Sequence, residues 1–188
     1  MTDQNEETGQ AQQIEVQQEL VINQNKLEQY FTKLRTEQDL TGGLSLGVVA
    51  AIISAILWAA ITVATQYKIA YMAIGLGFLV GYAIRVKGNG IDKIFGICGA
   101  ALALVGCILG NYLSIIGFLA EEQSLGYFET LTLIPINLIP DIMVETFRPM
   151  DIVFYGFAIY QGYMGSFRVI SEADIRNNAG ETKTTEIV

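Results

Sequence analysis

Three long apolar runs dominate the hydrophobic pattern of the chain between residues 43 and 118. The first has 23 residues without a charge. As a helix it would extend about 34 Å, more than the ~30 Å hydrocarbon core of a bilayer. The pattern therefore predicts three transmembrane helices, at about residues 44–65, 67–85 and 94–120.

A further apolar run at residues 150–168 is predicted to form a fourth span, although its length is near the lower limit. Pro149 suits the first turn of a helix and Asp151 suits the positive end of its dipole. Residues 121–149 contain all three prolines, and these with Asp141 and Glu145 interrupt any continuous span. This segment is predicted to form one or two short helices, on the membrane surface or against the bundle. A re-entrant loop lined by protein is the alternative.

Polar sequence flanks the apolar core on both sides. In residues 1–41, Leu20, Leu27 and Leu34 recur every seven positions and predict an amphipathic helix from about residue 12 to 39. The main interpretation is a solvated or interfacial helix, and the alternatives are self-association, partner binding and disorder. Thr41-Gly42-Gly43 is predicted to break this helix. Residues 169–188 form a polar C-terminal tail, so the fold class is an all-α membrane protein with its transmembrane domain at residues 42–168.

Composition narrows the chemistry that is available to this protein. The 188 residues are 52% hydrophobic with a mean hydropathy of +0.40, and the net charge of -8 argues against a nucleic-acid partner. The absence of histidine removes the commonest general base and metal ligand. Cys98 and Cys107 are about 13 Å apart along one predicted helix, too far for a disulfide. We predict no catalytic residue, cofactor or metal site, and no secretory signal peptide.

The cations near the predicted spans indicate the orientation. With four spans, two cations, Lys68 and Arg148, lie on one side, and eight lie on the other. The eight are Lys26, Lys33, Arg35, Arg85, Lys87, Lys93, Arg168 and Arg176. The positive-inside rule therefore predicts cytoplasmic N- and C-termini and an outward segment at residues 121–149.

Small residues recur every fourth position in the predicted spans. They are Gly43, Gly47, Ala51 and Ala55 in the first, Gly77 and Gly81 in the second, Gly106 and Gly110 in the third, and Gly162 in the fourth. Such stripes let the backbones of membrane helices approach closely and favour right-handed crossings. They predict a compact helix bundle, and leave open whether the contacts form within one chain or between chains.

Two amides lie inside the predicted spans, Asn111 in the third and Gln161 in the fourth. The main interpretation is that each hydrogen-bonds across helices and fastens the bundle. A role in permeation or substrate binding is the alternative. Asn111 should lie nearer the outer face and Gln161 nearer the middle, so the two are not expected to meet.

Residues 61–113 resemble small multi-span inner-membrane proteins of bacteria to which no activity is assigned. The resemblance rests on Tyr71-Met72-Ala73-Ile74-Gly75, Gly81-Tyr82-Ala83-Ile84-Arg85 and Gly90-Ile91-Asp92-Lys93. It implies placement in the bacterial inner membrane and no catalytic residue. Neither terminal region belongs to it.

Three functions remain open after these observations. The first is a structural, accessory or scaffolding component of a membrane complex, with the bilayer and a membrane-protein partner or second copy as its contacts. The second is a small oligomeric channel or passive transporter. No acidic or basic residue lies well inside any span, which argues against active transport. A membrane enzyme is the least favoured, because no acid–base cluster lies within the membrane.

Overall fold

The computed structural model of the protein describes residues 24–67, 71–133 and 138–179. Of these residues, 85% are helical and none forms a strand, which confirms the predicted all-helical class. The chain divides into two compact units. One unit comprises Gln38–Arg168, and the other comprises the two flanking segments.

Eight helices lie within the described residues. They are α1 (Gln24–Thr36), α2 (Leu40–Thr65), α3 (Tyr71–Gly88), α4 (Lys93–Glu122), α5 (Tyr127–Leu133), α6 (Ile139–Thr146), α7 (Pro149–Gly165) and α8 (Glu172–Ala179). By length and composition alone, two of them could cross a membrane, α2 and α4, whose most apolar windows have mean hydropathies of 2.5 and 2.1.

Helix α2 begins earlier than the sequence indicates. Thr41-Gly42-Gly43 does not break the helix but forms its first turn, because Asp39 caps it by accepting a hydrogen bond from the Gly42 amide at 2.8 Å. A side chain at Gly43 would collide with the next helix, since a Cβ there would lie 2.9 Å from the Gly88 Cα. The glycine therefore serves close packing and not chain reversal.

The four long helices of the larger unit pack around one central pair. Helices α3 and α4 contact each other, and α2 and α7 each contact both of them. Among the described residues α2 and α7 do not touch. The segment at residues 121–149 contains the short helices α5 and α6, and both contact α4.

Small side chains fill the interior of this bundle. Ala55, Ala73, Ala103 and Ala158 are all fully buried. The larger buried residues are few, among them Val80, Ile84, Phe95 and Ile116. Conversely, the outer face of α2 carries large aliphatic residues that are about half exposed: Ile52, Ile53, Ile56 and Leu57.

The smaller unit is described only by α1 and α8 and their adjoining residues, and these two helices contact each other. Helix α8 lies in the tail that the sequence indicates only as polar. The predicted N-terminal helix is present from Gln24 to Thr36, and its earlier part lies outside the described residues.

Candidate functional site

Helices α3 and α7 approach each other closely along a seam of small residues. A Cβ at Gly77 would lie 2.8 Å from the Ala158 Cα, and one at Gly81 would lie 3.0 Å from the carbonyl oxygens of Gln161 and Gly162. Real Cβ atoms essentially never come within 3.0 Å of such atoms. The seam therefore requires glycine at position 77, and at position 81 an added Cβ would be at the limit of what the contact allows.

A second seam joins α4 to α7 through Gly162. A Cβ at Gly162 would lie 2.6 Å from the carbonyl oxygen of Gly99. Beside it, the buried Ser166 donates its hydroxyl hydrogen to the Gly162 carbonyl at 2.6 Å. Gly162 thus contacts α4 at Gly99, and its carbonyl oxygen also lies beside Gly81 of α3.

The seams of α2 follow the predicted stripe along the helix. A Cβ at Gly47 would lie 2.6 Å from the Ile84 side chain of α3. Gly106 faces Ala51, and Gly110 faces the ring of Trp58, both at 3.3–3.5 Å from an added Cβ. Ala55 is fully buried between these contacts. All nine predicted packing residues therefore lie at contacts or buried positions within one chain.

Asn111 is buried, and its side chain forms a hydrogen bond from α4 to a side chain of α7. Its amide nitrogen donates to the hydroxyl oxygen of Tyr155 at 2.8 Å. Gln161 lies six residues further along α7 and is partly buried, so the two amides do not meet. The Asn111 bond is an interhelical bond of the predicted type, and its partner is Tyr155 of α7.

Among the residues that the structure describes, three buried side-chain polar atoms near this level of the bundle have no hydrogen-bond partner. They are Nε1 of Trp58, Oγ1 of Thr62 and Oδ1 of Asn111. Trp58 and Thr62 are one turn apart on α2 and continue the buried stripe of Ala51 and Ala55, which is the signal that could have found them. An unpartnered buried hydroxyl or amide carries a desolvation cost of about 1–3 kcal/mol.

Four of the eight cations on the predicted cytoplasmic side gather at one end of the bundle, here called the basic end. Arg85 and Lys87 lie in the last turn of α3, Lys93 begins α4, and Arg168 follows α7. The Arg168 amide donates to the Gly90 carbonyl at 2.8 Å, which attaches the chain after α7 to the turn between α3 and α4.

Gln38 fastens the same turn from the other side. Its Oε1 accepts hydrogen bonds from the amides of Ile91 and Asp92, and its Nε2 donates to the Asp92 carboxylate at 2.8 Å. Asp92 directly precedes α4, but its side chain makes no capping bond to the helix and bonds to Gln38 instead. Sequence analysis missed Gln38, since its partners are more than 50 positions away.

The opposite end of the bundle is acidic, since Glu121 and Glu122 end α4 and Asp151 lies in the first turn of α7. At this end the Gln66 side chain, after α2, donates a hydrogen bond to the Glu121 carboxylate. Here α5 folds back on α4, where the Tyr127 hydroxyl donates to the Leu113 carbonyl at 3.0 Å. Partial burial raises the pKa of Tyr127, and the electrostatic effect of Tyr112 raises it further. The hydroxyl is therefore protonated and can donate this hydrogen bond. Phe128 and Val144 on α5 and α6 are 81% and 76% exposed.

The described residues offer no group of three or more Cys, Asp or Glu side chains that could hold a metal ion. These contacts hold the helices together. The bundle presents an apolar outer surface, and its two ends carry opposite charge. Comparisons with protein-family models, with curated proteins and with solved structures find no match.

Proposed function

We propose that this protein is a bacterial inner-membrane protein whose helices α2, α3, α4 and α7 cross the bilayer as one compact bundle. It acts as a structural or accessory component that scaffolds a membrane complex. Lipid surrounds the bundle, and a membrane-protein partner or a second copy binds it. The proposed activity is non-enzymatic and requires no cofactor or nucleic acid.

The inverted distribution of side-chain size carries this proposal. Alanine and glycine fill the interior, while Ile53, Val105, Val153 and Phe157 are about half exposed or more on the outer faces of three helices. In water, the folded protein would forgo about 25 cal/mol of hydrophobic stabilisation for every Å² of apolar area left exposed. In hydrocarbon this cost vanishes, and close backbone packing becomes the main source of helix association.

The shorter helices α3 and α7 fit this arrangement. With 18 and 17 residues, they extend about 27 and 26 Å, just under the ~30 Å apolar thickness. Arg85 and Lys87 at the end of α3 can extend their charged groups to the interface. The two helices bury small faces against each other at Gly77 and Gly81, and both also contact α4, which is long enough to span.

The basic end is proposed to face the cytoplasm, together with both termini. Arg85, Lys87, Lys93 and Arg168 supply the local positive charge that the inside rule requires. The acidic end, with α5 and α6 lying at the interface, then faces outward. The exposed Phe128 and Val144 suit contact with the outer headgroup region.

The packing favours a scaffold over a channel. Backbone atoms of α3 and α7 contact across Gly77 and Gly81, so a single chain leaves no water-filled path at that seam. No charged side chain lies within the described parts of the four long helices away from their ends. A conducting pore would therefore have to form between copies, along the outer faces.

In-cell cross-linking followed by purification in mild detergent tests the scaffold proposal. We expect a specific partner or a second copy to be recovered with the tagged full-length chain. Recovery of lone monomers only, from cells that insert the protein normally, would count against scaffolding. Ion and solute flux into proteoliposomes tests the channel, and flux above that of empty liposomes would replace the proposal.

A further inference from the structure

The outer face of α3 carries a ladder of three stacked groups that ends in a cation. The rings of Phe78 and Tyr82 are stacked, with centroids 6.0 Å apart and planes at 19°. The guanidinium carbon of Arg85 lies 5.0 Å from the Tyr82 ring centroid. The spacing of four and three residues sets all three on one helix face, where Phe78 and Tyr82 are 50% and 46% exposed.

The seam between α3 and α7 lies beside this ladder. Helices α3 and α7 approach through Gly81 and Gly165, where a Cβ on either glycine would lie 3.0–3.3 Å from the Cα of the other. Neither glycine has a side chain that could cover the ring of Tyr82, which stays 46% exposed. A flexible hydrocarbon chain can lie against the exposed face of such an aromatic ring.

Arg85 at this position has an aromatic ring as its partner, while the carboxylates of Asp39 and Asp92 lie at the same end of the bundle. Lys87 and Lys93 are exposed at the basic end. Within the described parts of the chain, no ion pair joins Arg85, Lys87 or Lys93 to a carboxylate. The N–H groups of the Arg85 guanidinium can donate hydrogen bonds to a phosphate oxygen.

We propose that this ladder binds an anionic phospholipid at the basic end. Its phosphate contacts Arg85, and its acyl chains lie along the exposed rings of Tyr82 and Phe78. The assignment rests on the proposed membrane-spanning arrangement, which puts the ladder at the interface and its aromatic part in hydrocarbon. Charge complementarity selects a headgroup with net negative charge over a zwitterionic one.

Quenching by brominated lipids tests the site directly in vesicles that contain equal amounts of phosphatidylglycerol and phosphatidylcholine. The full chain carries Trp58→Phe to remove its single tryptophan and Tyr82→Trp to place a reporter at the site. Only the identity of the brominated lipid changes between samples. We expect brominated phosphatidylglycerol to occupy the site about fivefold more than brominated phosphatidylcholine. Arg85→Gln should reduce this ratio to one.

A reporter at Leu46→Trp in the Trp58→Phe background is the matched control. Leu46 is exposed on α2 at the same level, since the adjoining Gly47 packs against Ile84, but it has no neighbouring ladder. Equal quenching by both lipids is expected there. Equal quenching at position 82, or selectivity that survives Arg85→Gln, would overturn the lipid site. If neither lipid quenched either reporter, the membrane-spanning proposal itself would fail.

The lipid that copurifies with otherwise unaltered protein supplies a second measurement, independent of Trp58→Phe. Mass spectrometry of the detergent-purified protein should find phosphatidylglycerol retained by the wild type and by Arg148→Gln at the acidic end. Arg85→Gln should lose about four-fifths of it. Equal retention by all three proteins would contradict the proposal.

Discussion

Thr62 is fully buried in the bundle, yet its hydroxyl oxygen has no hydrogen-bond partner. Valine has nearly the same shape without the polar atom. Thr62→Val should therefore raise the free energy of unfolding by about 1 kcal/mol, because the desolvation cost of the hydroxyl disappears. Unfolding in detergent can be followed by the fluorescence of the single, buried Trp58.

Ser166→Ala is the control for that substitution. The Ser166 hydroxyl is equally buried but bonded to the Gly162 carbonyl, so its loss should reduce the free energy of unfolding by about 1 kcal/mol. Opposite signs for the two variants are expected. A Thr62→Val protein that unfolds more easily than wild type would show that the hydroxyl has a partner in the folded protein.

Gly75 and Gly77 lie two positions apart on α3, and the structure gives them opposite roles. A Cβ at Gly75 would meet nothing within 4 Å, whereas one at Gly77 would press on the Ala158 backbone. Gly77→Ala should lower the free energy of unfolding by about 1–3 kcal/mol through overpacking. Gly75→Ala should be neutral or raise it by up to about 1 kcal/mol, because alanine favours the helix. Thermal midpoints in one detergent would compare them, and equal shifts would refute the assigned seam.

At the scale of elements, the turn between α3 and α4 is held from both sides by Gln38 and the backbone of Arg168. Gln38→Ala removes three hydrogen bonds and leaves two amides, those of Ile91 and Asp92, without their acceptor. The free energy of unfolding should fall by about 1–3 kcal/mol. Ser45→Ala, which removes an exposed bond to the Gly42 carbonyl, should change it by less than about 0.5 kcal/mol.

Gln38→Glu distinguishes the acceptor bonds from the contact with Asp92. The new carboxylate can still accept from both amides, but it faces the Asp92 carboxylate. Repulsion favours the protonated form in the folded protein, so stability should fall as pH rises through the carboxyl range and should recover in mild acid. An unfolding midpoint that follows the same pH profile as wild type would argue against this contact.

Much of the element pattern follows from sequence, because apolar length and helix capping are local properties. Pro149 and Asp151 begin α7 as expected, and the small residues of α2 mark its buried face. The contacts that could not be predicted depend on how helices that are distant in sequence align along the bundle axis. Gly75 resembles Gly77 in sequence but faces outward, and the bond from Asn111 to Tyr155 requires knowing how α4 and α7 lie side by side.

For the whole molecule, the separation of charge between its two ends gives a topology prediction. Reporter fusions after Lys87 and after Gly126 should report opposite sides, cytoplasmic for Lys87 and external for Gly126, because the basic residues collect around the turn at residues 88–92. Reversal of both signals would overturn the orientation. A cytoplasmic signal from both positions would overturn the third span, which α4 is proposed to form.

The alanine and glycine interior also bears on how the bundle assembles. These residues have no side-chain rotamers to lose when helices meet, whereas each longer side chain gives up as much as about 2 kcal/mol of conformational entropy on burial. In the proposed bilayer, the Ile and Leu side chains on the outer faces would retain their rotational freedom among fluid acyl chains. Association of the helices is thus opposed by little ordering of side chains, and modest dispersion contacts at Gly77, Gly81 and Gly162 suffice to hold them together.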